Sequence, residues 1–251
     1  MTTRASLRQQ GEAMRQRLFG DDDGSPTFMR TLNTEASYGA IWSRPGLALD
    51  DRMICALAAL AAVQRLKKLR RHVGAALELG LTPQAIVEVL VQIGIYAGFA
   101  ASEEAVEAAA EEFAARQVAM PEEPARTDSL EALTERGCKL MEQLHGDRAR
   151  QGYAAPGNTV TGALYPLAIQ YGYGEIWFRP GLDLRQRALV AVAAFTALKL
   201  GQVEKFGQSA LNMGLSRTEV IEAIVQTAPL SGFAPALNAL GGLSEALGGK
   251  P

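Results

Sequence analysis

Two arginines stand in nearly the same setting. Trp42-Ser43-Arg44-Pro45-Gly46-Leu47 and Trp177-Phe178-Arg179-Pro180-Gly181-Leu182 lie 135 positions apart. A guanidinium at a Pro-Gly turn offers a planar fork of donors that can grip a carboxylate through two hydrogen bonds. The plainer reading is an arginine satisfying carbonyls at its own turn. Trp42 and Trp177 read either as pocket wall or as core. Arg52 and Arg187 recur at the start of an apolar helix, where the dipole does not favour a cation, so each needs a ligand or an acidic partner. Other reactive groups are scarce. Two histidines, His72 and His145, leave little for a histidine-built metal site, and two cysteines, Cys55 and Cys138, exclude a disulfide framework. No Gly-rich phosphate loop, Ser-His-Asp motif or metal-ligand cluster is present.

The elements that must position these residues come in two copies. YGAIWSRPGLAL at 38–49 matches YGEIWFRPGLDL at 173–184, and AALELGLTPQAIVEVLVQ at 75–92 matches SALNMGLSRTEVIEAIVQ at 209–226. The offset falls from 135 to 134 between Ala62 and His72, so the second copy lacks one residue there. So long a period describes a duplicated domain and not a solenoid. The periodicity is helical, with no strand alternation. Helices are expected at 7–18, 50–64, 66–79, from Pro83 onward and at 101–116. The helix at 50–64 is apolar on nearly every face and should be central. Thr82-Pro83 and the Ser216–Glu219 capping box start helices. Asp21-Asp22-Asp23 reads as a solvated loop. The expected fold is all-α: two similar domains of about six helices each, at 1–118 and 129–251, joined by a linker at 119–128. Tandem duplication of this kind usually replaces a homodimer, so the halves should pack about a pseudo-two-fold with a site between them.

Composition narrows the function. At 251 residues, either one large domain or two ordinary ones can bury a core. Lys+Arg at 25 against Asp+Glu at 27 argues against a nucleic-acid partner, as do aromatics at only 6%. The longest apolar run, 53–63, is shorter than the roughly 18–20 residues a spanning helix needs, so no membrane partner is expected. The first residues lack a secretory signal, and unpaired thiols fit the cytoplasm.

At GAIWSRPGL, LRRHVGAALELGLT and IYAGFAAS, and again at GEIWFRPGL, ALNMGLS and SGFAPALNAL, the chain resembles the carboxymuconolactone decarboxylase family, related to the alkylhydroperoxidase D-like proteins. The resemblance runs over roughly 7–113 and 131–246. It implies a small-molecule substrate and a lyase that needs no cofactor. The family's namesake removes CO2 from a butenolide, sending the electron pair through the ring double bond into the lactone carbonyl and a proton to the α-carbon. Such a site needs cations for carboxylates, donors for the developing oxyanion, a proton donor and a dry wall. Single-repeat members form rings of six, so this chain resembles a homotrimer of two-repeat chains.

The resemblance also implies site residues. His72 falls at the family's histidine in LRxHV and is a candidate acid or base, with an inert histidine on an amphipathic helix as the alternative. The second copy has Phe206 there. Conversely, the family's Gly-Glu-(Val/Ile)-Trp glutamate survives as Glu175, while the first copy has Ala40. A complete set, His72 and Glu175 as catalytic residues with Arg44, Arg179, Trp42, Trp177 and Tyr173 binding substrate, exists only across the pair. Either one composite site or two decayed sites would explain this. Tyr153, Tyr165, Tyr171 and Tyr173 lie in a Gly-, Pro- and Tyr-rich stretch at 152–174 that reads as a lid or a surface loop. The Cys-x-x-Cys of the peroxidase branch is replaced by Arg65 and Lys68, so thiol peroxidase activity is not expected. A tailoring enzyme of polyketide-like natural-product biosynthesis and a non-catalytic binding protein remain alternatives on this fold.

Overall fold

The computed structural model describes residues 2–155 and 157–248, without the side chain of Tyr153. The reading of Tyr153 therefore lies outside the described residues. The first half holds α1 (Arg4–Phe19), α2 (Thr27–Leu32), α3 (Leu49–Ala62), α4 (Leu66–Glu78), α5 (Pro83–Ala97) and α6 (Phe99–Ala115). The second holds α7 (Leu130–His145), α8 (Tyr165–Leu167), α9 (Leu184–Ala197), α10 (Gln202–Asn212), α11 (Arg217–Ser231) and α12 (Phe233–Gly242). α2 runs into a wider π-helical segment, Asn33–Trp42, and α8 into its counterpart, Ala168–Glu175. The fold is all-α, with no strand among the described residues and two tandem helical domains.

Local chemistry sets the helix ends. The Thr82 hydroxyl accepts from the Ala85 amide with Pro83 in the first turn, and Ser216 with Glu219 forms a reciprocal cap. Gly98 and Gly232 end α5 and α11 at φ of 96° and 117°, a region open to glycine.

The two apolar helices, α3 and α9, pack on each other at the centre. Both are rich in alanine, which lets their backbones approach closely. α5 packs on α9 as well as on α3, and α11 on α3 as well as on α9, so each central helix is covered from both halves. Gly11 on α1 meets the Thr34 carbonyl, and Gly137 on α7 meets the Ile169 carbonyl. These are contacts that a Cβ would not permit.

Two local readings change. Within 152–174, residues from Tyr165 onward are helical and not loop, because they repeat the α2 and π-helical segments of the first half. Asp23 is buried and not solvated: it accepts from the Ser25 amide and hydroxyl and from the Tyr38 phenol. No helix among the described residues is long and apolar enough to cross a membrane.

Candidate active site

The repeated arginines meet glutamates of the opposite half. Arg44 donates from Nε and Nη2 to Glu222 on α11, the closest pair at 2.6 Å. Arg52 reaches the same carboxylate at 2.8 Å and gives its Nη1 to Gln226 Oε1 at 3.3 Å. The other half repeats this. Arg179 donates to Glu88 on α5 at 3.0 Å, as does Arg187, whose Nη1 meets Gln92 Oε1 at 3.2 Å. Burial works against the charge on Glu222, but hydrogen bonds from Arg44 and Arg52 outweigh it and hold its carboxyl below the ordinary value. Burial pushes Arg187 down against the pull of Glu88. Arg52 and Arg187 thus have acidic partners, and all four guanidiniums are engaged at the joint between halves.

His72 sits on the buried face of amphipathic α4. Its Nδ1 lies 2.9 Å from the Lys68 carbonyl. A carbonyl only accepts, so Nδ1 carries the proton and Nε2 is bare. Burial lowers its pKa to about 4, leaving the imidazole neutral at pH 7. Phe19 packs edge-on at 5.0 Å and Trp42 lies at 6.2 Å. This histidine lines a cavity of about 170 Å³. Trp42, Tyr38 and Leu60 form its wall from the first half, and Pro229 and Leu230 close it from α11 of the second. Asn33 and Ser37 supply polar edges, and Arg65 and Lys68 supply cations. Burial makes the Lys68 ammonium more acidic than usual, and it donates to the Asp23 carbonyl at 3.3 Å. The volume is below the roughly 300 Å³ at which drug-sized pockets begin, so the space suits a small ligand.

Around Phe206, at the counterpart of this cavity, the corresponding residues are larger. Phe206 stands for His72, Phe195 for Leu60 and Tyr96 for Leu230. Tyr96 and Phe206 each pack on Phe195, at 4.6 and 4.7 Å, and Tyr173 stacks on Phe206 at 6.5 Å. The Tyr96 hydroxyl accepts from Gln92 Nε2 at 3.0 Å and from Trp177 Nε1 at 3.2 Å. Tyr173 and Trp177 therefore belong to an aromatic cluster in the second half. His145 packs edge-on against Phe206 at 5.1 Å, so the histidine–phenylalanine contact recurs with the types exchanged.

Glu175 lies elsewhere. It pairs with Arg126, in the segment between the halves, at 2.5 Å, and lines an open cleft of about 440 Å³ with Arg136 and Arg179. That cleft shares no residue with the His72 cavity. The structure thus brings Trp42 to His72 and Arg179 to Glu175, but does not gather His72, Glu175, Arg44 and Arg179 at one point. The two arginines are drawn to different glutamates, and Glu175 is drawn to Arg126. The cavity still takes its walls from both halves, through Pro229 and Leu230. Sequence reasoning did not single out Lys68 and Arg65 as cavity residues. The signal was present, since the resemblance sets both at the positions of the peroxidase branch's Cys-x-x-Cys. Cys55 is buried, which pushes its thiol up, and Cys138 is exposed. No group of three or more potential metal ligands occurs among the described residues.

Comparison with known proteins adds to this geometry. The sequence model of the carboxymuconolactone decarboxylase family matches residues 26–111 and 163–245. Over 77 residues the chain is 36% identical to 4-carboxymuconolactone decarboxylase of Acinetobacter baylyi, a match covering 31% of this chain and 58% of that protein. Over 109 residues it is 24% identical to nitrosuccinic acid decarboxylase of Metarhizium robertsii, covering 43% and 76%. The chain therefore spans little more than half the length of the first of these relatives.

Proposed function

The chain belongs to the carboxymuconolactone decarboxylase family, and on that premise we propose that it is a decarboxylase-like lyase acting on a small carboxylated lactone or keto acid at the His72 cavity. The observation that carries this reading is a neutral imidazole with a bare Nε2, in a small cavity that also holds Lys68 and Arg65. The two relatives named as decarboxylases support the reaction class.

In this reading Arg65 and Lys68 hold the carboxylate oxygens of the substrate. The bond from the γ-carbon to the carboxylate breaks, its electron pair moves through the ring double bond into the carbonyl, and the α-carbon takes up a proton. Lys68 lines the cavity and is able to give one, being an ammonium made more acidic by burial. His72 starts without a charge, so it accepts and passes on a proton and does not begin as the acid. Leu60, Leu230 and Trp42 form the dry wall that favours losing the carboxylate's charge. The reaction so drawn needs no cofactor.

Incubation with γ-carboxymuconolactone should release CO2 and the enol-lactone. His72→Ala should lower kcat by about 10²–10⁴-fold while the protein stays folded. Absence of turnover across this lactone and a panel of small β-keto acids, by a folded sample, would overturn the reading.

We also propose a homotrimer. Apolar side chains stand exposed at matching positions of both halves, Phe99 with Phe233 and Leu32 with Leu167. Such paired apolar surface suits contact with further copies.

A further inference from the structure

The two copies of this fold answer each other residue for residue, so the aromatic cluster around Phe206 shows what fits the space left open at His72. There, the Tyr96 hydroxyl oxygen is held between two donors, Gln92 Nε2 and Trp177 Nε1. The His72 cavity keeps counterparts of both donors, Trp42 of the first half and Gln226 of the second, but has Leu230 in place of the tyrosine. Arg52 takes the Oε1 of Gln226 as Arg187 takes that of Gln92, but Gln92 Nε2 also donates to the Arg187 carbonyl at 2.8 Å, a bond that Gln226 Nε2 does not repeat. Gln226 stands one turn before Leu230 on α11, as Gln92 stands one turn before Tyr96 on α5, and lies behind the cavity wall that Leu230 forms. Gln226 is fully buried, and this Nε2 has no hydrogen-bond partner. The indole N–H of Trp42, at the wall of the cavity, likewise makes no hydrogen bond among the described residues. A buried amide donor without an acceptor is costly, and a folded protein tolerates it chiefly where something else supplies the acceptor.

We propose that Gln226 Nε2 and Trp42 Nε1 form the subsite for the ligand's carbonyl oxygen, in the place the Tyr96 oxygen holds in the aromatic cluster around Phe206. This rests on the reading of the His72 cavity as the ligand site and adds the ligand's polarity. The carboxylate lies towards Arg65 and Lys68, and a neutral acceptor oxygen, such as a lactone or ketone carbonyl, lies towards α11. It also assigns Leu230 a role: a side chain without a hydroxyl, which leaves the two donors to a ligand's oxygen.

The probes are γ-butyrolactone-γ-carboxylate and tetrahydrofuroate, two rings of one size that differ in the carbonyl. Calorimetric titration of the wild-type protein should show the lactone binding about tenfold tighter, the worth of one well-placed hydrogen bond in a buried site. Gln226→Leu should erase that difference while leaving tetrahydrofuroate binding unchanged. Leu230→Tyr installs the phenol of the Phe206 cluster and should block both ligands in a protein at least as stable as the wild type. The lactone, but not tetrahydrofuroate, should move the Trp42 indole N–H resonance. Equal binding of the two ligands, or a lactone advantage that survives Gln226→Leu, would sink the subsite alone. Failure of both ligands to bind the folded wild type would remove the cavity reading, and the subsite with it.

Discussion

A histidine enclosed by Phe19 and Trp42 stays neutral because burial penalises its charged form. Unfolded, it titrates near the ordinary 6.5; folded, near about 4. Above pH 6.5 neither state holds the proton, and the histidine contributes no pH dependence. Between the two values the unfolded chain binds a proton that the native state refuses, so stability falls as pH falls. His72 accounts for a loss of about 3 kcal/mol once the pH is below 4. His145, also held down to about 4 by burial, acts in the same direction. Urea midpoints measured from pH 7 to pH 4 should drop steeply for the wild type and less steeply for His72→Phe. Parallel curves would show that His72 is not buried neutral. The same residue illustrates what sequence could reveal. Its place in LRRHV marked it out, and the Lys68 carbonyl that fixes its tautomer lies one turn before it on the same helix, but its enclosure by Phe19 and Trp42 from other elements is encoded in no local pattern.

At the scale of helices, the joint rests on α5 and α11, each carrying one glutamate into the opposite half. Glu88 and Arg187 are both fully buried. Removing one partner leaves the other as an uncompensated charge, so Glu88→Ala should cost about 3–5 kcal/mol in thermal or urea unfolding. Arg44 is different: its side chain is 45% exposed, and Glu222 keeps Arg52 when it is lost. Arg44→Ala should therefore cost about 1 kcal/mol or less. Equal losses for the two variants would contradict this division of labour. The helices themselves were largely legible in sequence, because period, caps and the Gly-Phe-Ala ends repeat in both copies. The glutamates were not, since Glu88 and Glu222 sit in helices whose spacing says nothing of which arginine they will find. Nor could spacing show that Glu175 would be drawn to Arg126.

For the molecule as a whole, duplication has left one open cavity at His72 and one aromatic-filled counterpart at Phe206. If the exposed apolar positions around Phe99 and Phe233 meet other copies, light scattering should give a mass about three times that of the 26.8 kDa chain. Replacing Phe99 and Phe233 by serine should reduce it; a monomeric wild type would refute the trimer. The count of two domains could be read from the repeat, because an internal match is visible in one chain. The composite site expected from His72 and Glu175 was beyond such reading, since it depended on how the copies are turned against each other.

Because each glutamate of the joint is held by arginines of the other half, nothing in that joint records which chain its partner came from. The segment between Ala115 and Leu130 carries no regular structure beyond its first turn and could reach roughly 45 Å when extended. The first half of one molecule can therefore close on the second half of another with every interior contact preserved. Refolding at high concentration would then yield domain-swapped pairs alongside closed monomers, the two differing only in the path of that segment.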